Sequence, residues 1–165
     1  MNDSTLSTTD AMHLLAAEGW LELGDGQSAH DELDEIDPKF RTHPDVLEIR
    51  WQIYAEDRNW IACVDIGKAL TQQAPERAVA WIHHAFALHE LKRTLEAFDV
   101  LLPIATRFPN EPTIPYNLAC YTCQLGRRAE ATEWLAQACR LGDAKEIKLQ
   151  AMDDPDLAPL WVTKS

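Results

Sequence analysis

Cys120 and Cys123 stand three apart in the stretch YNLACYTCQLG, residues 116–126. That spacing serves redox dithiols and also forms half of many zinc sites. His83-His84 and His89-Glu90 add ring nitrogens and a carboxylate nearby in sequence. A redox pair needs a lowered thiol pKa, usually supplied by a helix N-terminus. A zinc site needs about four ligands. Other chemistry has less support. His89-Glu90 continues as Leu91, Lys92 and Arg93 with no second histidine, so the metalloprotease helix is absent. No G-x-S-x-G elbow occurs, and Gly24 and Gly26 are too isolated to cradle a phosphate. What the cysteines do depends on the elements that carry them.

Those elements come from a chain of 165 residues with 46% apolar content, enough for one core or one short repeat array. No apolar run approaches the roughly 18 residues of a membrane span, so no membrane partner is expected. The start, MNDSTLSTTD, has no Lys or Arg and so lacks the basic beginning of a secretory signal. Four cysteines without a dense framework fit a reducing compartment. A cytoplasmic location is expected. Ten acids and no base precede Lys39, so the sequence up to Pro38 carries −10 of the chain's −12. A basic stripe is missing, which excludes nucleic acid as a partner class. The acidic end is either a steering surface for a basic partner or a solvated face.

Sliding the chain against itself gives a period of about 34 residues. One row is Ala17, Trp51, Ala85, Ala119; another, later in each copy, is Ala29, Cys63, Ala97, Ala131. Six of these eight places are Ala, where composition predicts about one. Ile36, Leu70, Ile104 and Ala138 form a further row, and Pro75 and Pro109 share a phase. Within each copy, apolar residues recur at three- and four-residue steps, break at a turn such as Gly126, and resume. Each copy is therefore a helix, a turn and an antiparallel helix, with small residues at the crossing.

The copies resemble tetratricopeptide repeats, through NLACYTCQLGRRAEATEWLAQA in the fourth and Trp81, Ala85, Ala97, Leu101 and Pro109 in the third. The first keeps Ala17, Trp20, Leu23, Gly24, Ala29 and Leu33. The resemblance implies an all-α, right-handed superhelical solenoid of antiparallel helix pairs. Its expected organisation is a tail at 1–9, four repeats at 10–43, 44–77, 78–111 and 112–143, and a capping helix with a fold-back tail at 144–165. Leu157, Leu160 and Trp161 are available to fold back on the last repeat. The closing stretch also resembles tails of bacterial tetratricopeptide proteins. Three departures stand out. Trp51 replaces a small residue, Asp57-Arg58 replaces the usual turn, and Pro103 predicts a kink near Asp99–Pro103.

In this frame Cys120 and Cys123 lie mid-helix, nearly two turns past the N-terminus, where the helix dipole gives little help. With His89 they make three zinc-type ligands and no evident fourth. No cofactor, no metal and no enzymatic activity are expected, and a metal or thiol site at Cys120, Cys123 and His89 is the weakest of three readings. The leading one, implied by the family, is a protein-binding groove lined by the first helix of each repeat. Its residues would be Gln52, Glu56, Ile82, Phe86, His89, Glu90, Tyr116, Cys120 and Gln124, with Cys123 beside them and Glu18 and Glu22 at the acidic N-terminal end. The chaperone-tail clamp of the family is not matched, because Leu14, Glu18, Ile49, Val79 and His83 fall where it needs cations and amides. A basic or neutral protein segment is expected rather than an acidic chaperone tail. Self-association as a homodimer or assembly subunit is the alternative.

Overall fold

The computed structural model describes residues 5–162. It contains no strand among the described residues, and ten α-helices follow in order. They are α1 (Thr8–Glu22), α2 (Gly26–Asp34), α3 (Pro44–Glu56), α4 (Trp60–Gln73), α5 (Ala78–Glu90), α6 (Thr94–Leu101), α7 (Ile104–Arg107), α8 (Thr113–Gln124), α9 (Arg128–Leu141) and α10 (Ala144–Asp153). Short 3-10 turns occupy Pro38–Phe40 and Pro155–Leu160. The chain divides into two compact units, Met1–His84 and Ala85–Ser165, with the boundary inside α5.

The repeat is written into the backbone turns. Gly24, Arg58, Lys92 and Gly126, each one period after the last, have positive φ of 78°, 56°, 64° and 80°. At each, two backbone bonds close the helix end in a Schellman arrangement. At the first, Gly24 N–H donates to Leu21 O and Asp25 N–H to Trp20 O; at the last, Gly126 N–H donates to Cys123 O and Arg127 N–H to Thr122 O. Arg58 and Lys92 adopt the same left-handed turn without glycine, at a steric cost that glycine avoids. So Asp57-Arg58 changes the residues of the turn and keeps its shape.

Side chains at the ends of helices complete the pairs. Ser7, Asp25, Asn59 and Asp143 accept backbone N–H groups at the N-termini of α1, α2, α4 and α10. Pro44 opens α3 at a position where its missing N–H costs nothing. Asp10, buried on α1, accepts from the Asp37 N–H at 2.9 Å and from the Ser7 hydroxyl at 2.6 Å. This ties the connector after α2 back to α1.

Inside the N-terminal unit, α1 packs on α2, α3 on α4, and α3 also touches α1 and α2. Ala17 and Ala29 are fully buried at the first crossing, and Leu33, Ile36, Ile49 and Ile53 close the core around them. The second crossing departs in an instructive way. The Trp51 indole lies flat on His83, with ring centroids 3.9 Å apart and planes within 4°, and Trp60 stands at a tilt beside it. Across the same crossing the Cys63 thiol donates to the Trp51 carbonyl at 3.5 Å, so the backbones still approach closely. Gly67 of α4 packs closely on the backbone of α5 at His84. Its phase is occupied by Leu33, Leu101 and Leu135 in the other copies. A Cβ at Gly67 would stand 2.7 Å from the His84 Cα. Copy two therefore exchanges Ala and Leu for Trp and Gly around the start of α5.

In the C-terminal unit α8 packs on α9, α6 and α7, and α10 packs on α9. Ala97, Ala119, Ala131 and Ala138 are fully buried. Pro103 does more than kink the second helix of the third copy. It ends α6 at Leu101, and a new short helix, α7, begins at Ile104, because Pro has no N–H to donate and its ring crowds the preceding turn. Ile104 stays buried, so the hydrophobic phase survives the break.

The Trp–Gly exchange predicts that Gly67→Leu, which restores the residue of the other copies, destabilises the protein by about 1–3 kcal/mol through overpacking against the α5 backbone. Denaturant titration followed by circular dichroism measures it.

Candidate functional site

The predicted groove residues fall into two groups with different surroundings. In the N-terminal unit Glu18 and Glu22 of α1 and Gln52 and Glu56 of α3 are exposed, and Ile82 of α5 is half-buried. Helical spacing puts Glu18 with Glu22, and Gln52 with Glu56, on one face of each helix. Among the described residues no cation pairs with Glu18, Glu22 or Glu56. The acids at the start of α3 differ. Arg77 donates to Asp45 at 2.7 Å and to Glu48 at 2.8 Å. His83 lies under the Trp51 ring, and burial pushes its imidazole down to about 4.

In the C-terminal unit the residues predicted for partner contact are taken up by the chain's own end. The segment Pro155–Leu160 lies against α8, and Leu157 is fully buried. The Tyr116 hydroxyl donates to Asp154 Oδ2 at 2.8 Å, and the Cys120 thiol shares that oxygen at 3.6 Å. His89 Nε2 meets Asp156 Oδ2 at 2.7 Å, while its Nδ1 meets the Thr94 hydroxyl at 3.0 Å. Gln124 donates to the Asp156 carbonyl at 2.8 Å, and Arg128 to that of Val162 at 3.1 Å. The Trp161 indole N–H reaches back to Ala151 O at 3.2 Å. Phe86 and Glu90 are half-buried.

Tyr116, Cys120, His89 and Gln124, expected to line a groove, all contact the segment from Asp154 to Asp156. The phenol of Tyr116, the thiol of Cys120 and the imidazole of His89 meet the carboxylates of that segment, and the Gln124 amide meets its backbone. The sequence signal was present in Asp154-Pro155-Asp156-Leu157, an N-cap followed by Pro at the first helical position. Nothing in the spacing assigned its carboxylates to α5 and α8, which lie 38 and 67 residues away for the Tyr116 and His89 bonds.

The cysteines now have a setting. All four are free, with Cys63, Cys120 and Cys123 buried. Burial, then the Asp154 and Asp156 carboxylates, raise the Cys120 thiol far above its ordinary range, and burial raises Cys123 as well. Burial alone pushes Cys63 up to about 11. These thiols stay protonated at neutral pH, the opposite of what thiolate chemistry requires. Sγ of Cys120 and carboxylate oxygens of Asp154 and Asp156 come within 4.8 Å of one another. Cys123 and His89 are outside that grouping, and both carboxylates already accept hydrogen bonds from Tyr116, Cys120 and His89.

Two outcomes test this geometry. Leu157→Ala should cost about 2–5 kcal/mol as a buried anchor is cut away, and Tyr116→Phe about 1–3 kcal/mol as Asp154 loses a donor; thermal melts rank the two. The second concerns pH. His83 binds its proton near 6.5 when unfolded and near 4 when folded. Its contribution is therefore complete above about pH 6.5 and is lost as pH falls toward about 4. His83→Phe, which keeps a ring on Trp51, should flatten the fall in unfolding free energy across that window.

No family model matches the chain, and no curated protein does. Solved structures do. A structure from a functional characterisation of Pseudomonas aeruginosa PilF is 20% identical, with a TM-score of 0.74 over 92% of this chain and 67% of that one. A MamA RS-1 double mutant is 14% identical, with a TM-score of 0.70 over 88% of this chain and 78% of that one. MamA AMB-1 is 18% identical, with a TM-score of 0.67 over 88% and 79%. At these identities the likeness is one of fold. Together with a left-handed turn in every repeat and small residues at the helix crossings, it gives the chain the fold of the tetratricopeptide-repeat proteins.

Proposed function

We propose that the chain is a non-enzymatic protein-interaction module, and that its N-terminal unit holds a basic or neutral segment of a partner against α1 and α3. The observation that carries this reading is the exposure of Glu18, Glu22 and Glu56 on two helices that pack together, with no cation paired to them among the described residues. Uncompensated acids on one face repel one another, and a cationic segment relieves that repulsion while binding. Gln52 adds a neutral donor and acceptor among them. Ten acids ahead of the first base extend the field beyond contact range and speed encounter with a basic partner.

The absence of an activity belongs to this proposal, supported by thiols held protonated and by histidines engaged in packing and tail contacts. A reducing compartment such as the cytoplasm suits four free cysteines. No helix among the described residues is long and apolar enough to cross a membrane.

A fluorescent Lys/Arg-rich amphipathic peptide and an acidic peptide of equal length test the reading on the full chain. The basic peptide should bind, should weaken steeply with added salt, and should lose about tenfold or more in affinity on the triple reversal Glu18→Lys, Glu22→Lys, Glu56→Lys. Equal binding by the reversed variant, or preference for the acidic peptide, overturns it.

A further inference from the structure

Eleven large apolar side chains are exposed among the described residues, and eight of them lie near the two termini. On α1, Met12 and Leu15 are 67% and 69% exposed, and Leu23 at its end is 78% exposed. With Gly19 they form one row at three- and four-residue steps, which is one face of a helix. Gly19 is an anomaly. Glycine inside a helix costs about 0.5–1 kcal/mol relative to alanine. A Cβ at Gly19 would meet nothing within 4 Å, so the chain's own packing does not require it. A helix face that is bare of bulk at its centre and apolar on both sides suits close approach by another helix.

The other terminus offers a matching recess. Thr132, Leu135, Ala136 and Cys139, spaced as one face of α9, line a groove of about 800 Å³ with Met152 of α10 and Trp161. Among the described residues, Lys148 is the only charged one in its lining. The α1 row carries the complementary sign. Glu22 follows Gly19 by three residues on the same helix face, and no base precedes Lys39 in the sequence. An apolar recess with one cation and an apolar helix face bordered by acid are complementary surfaces on the same polypeptide, and on separate copies they form a head-to-tail contact.

We propose that the protein self-associates head to tail, with the Met12–Leu15–Gly19–Leu23 face of one copy seated in the α9–α10 groove of a second copy. The contact is heterologous: each copy offers a different surface to each neighbour, and the two unsatisfied ends allow chains to grow. It shares Glu22 with the acidic α1–α3 face proposed for partners, while the apolar row and the α9–α10 groove are otherwise separate from that face.

Sedimentation velocity on the full chain, from micromolar to millimolar concentration, tests it. The mean mass should rise with concentration past that of a dimer. Leu15→Glu and Met152→Glu, both at exposed positions that leave the circular dichroism unchanged, should each abolish the rise. Mixed in equal amounts, these two variants should form a heterodimer and go no further, because one retains a sound groove and the other a sound α1. Gly19→Ala should raise the melting temperature of the monomer and weaken association by about tenfold or more. Lys148→Glu should weaken it too. A chain that stays monomeric throughout, a closed dimer that survives Leu15→Glu, or a mixture that does not pair overturns the proposal.

Discussion

Two helices approach closely only where no large side chain stands between their backbones, and the rest of this structure depends on that condition being met once in every repeat. Ala17 with Ala29 and Ala119 with Ala131 meet it directly, and Ala85 and Ala97 hold the same phases in the third copy; all are fully buried. Once the crossings are fixed, each Schellman turn must close in the same left-handed conformation, whether or not glycine is present. The second copy is the exception. Trp51 stands where the other copies have alanine and stacks on His83, and Gly67 stands where they have leucine and lies against the His84 backbone. Close packing at Gly67 leaves no room for that leucine, because a methylene too many is felt as strain.

A repeat array cannot end as it continues, since its last helix pair has no successor to cover it. Here α10 packs on α9, and the polypeptide then turns at Asp154 to run along α8. Leu157 contributes apolar burial, while Tyr116, Cys120, His89 and Gln124 supply the hydrogen bonds that the turned segment needs. The ring of Tyr121 packs at a tilt against His89 and is fully buried beneath this seat, holding the imidazole toward Asp156. The residues that hold the tail make their hydrogen bonds within the chain, whereas the acids of α1 and α3 named above are exposed.

Much of the fold was legible because periodicity reports burial directly. Rows of Ala at two phases identified the crossings, Gly24 and Gly126 identified the turns, and Pro103 identified the discontinuity at which α6 ends and α7 begins. The Trp51–Gly67 exchange was also visible, in the row Leu33, Gly67, Leu101, Leu135, but its meaning needed the proximity of His84. The tail's seat was not legible for a different reason. Past Asp143 the period stops, and carboxylates in a turn carry no sequence mark of the donors they will meet far along the chain. Assigning Tyr116, Cys120 and His89 to a groove followed the phase of the repeat. The hydrogen bonds these residues make to the segment after Asp153 carry no such phase.

Hydrogen–deuterium exchange on the full chain, with and without a bound basic peptide, tests the division of labour most directly. The account predicts slower exchange in α1 and α3 on binding, with α8 and residues 154–160 unchanged. Slower exchange in α8 together with faster exchange in 154–160 would mean that the partner displaces the tail, and would contradict it.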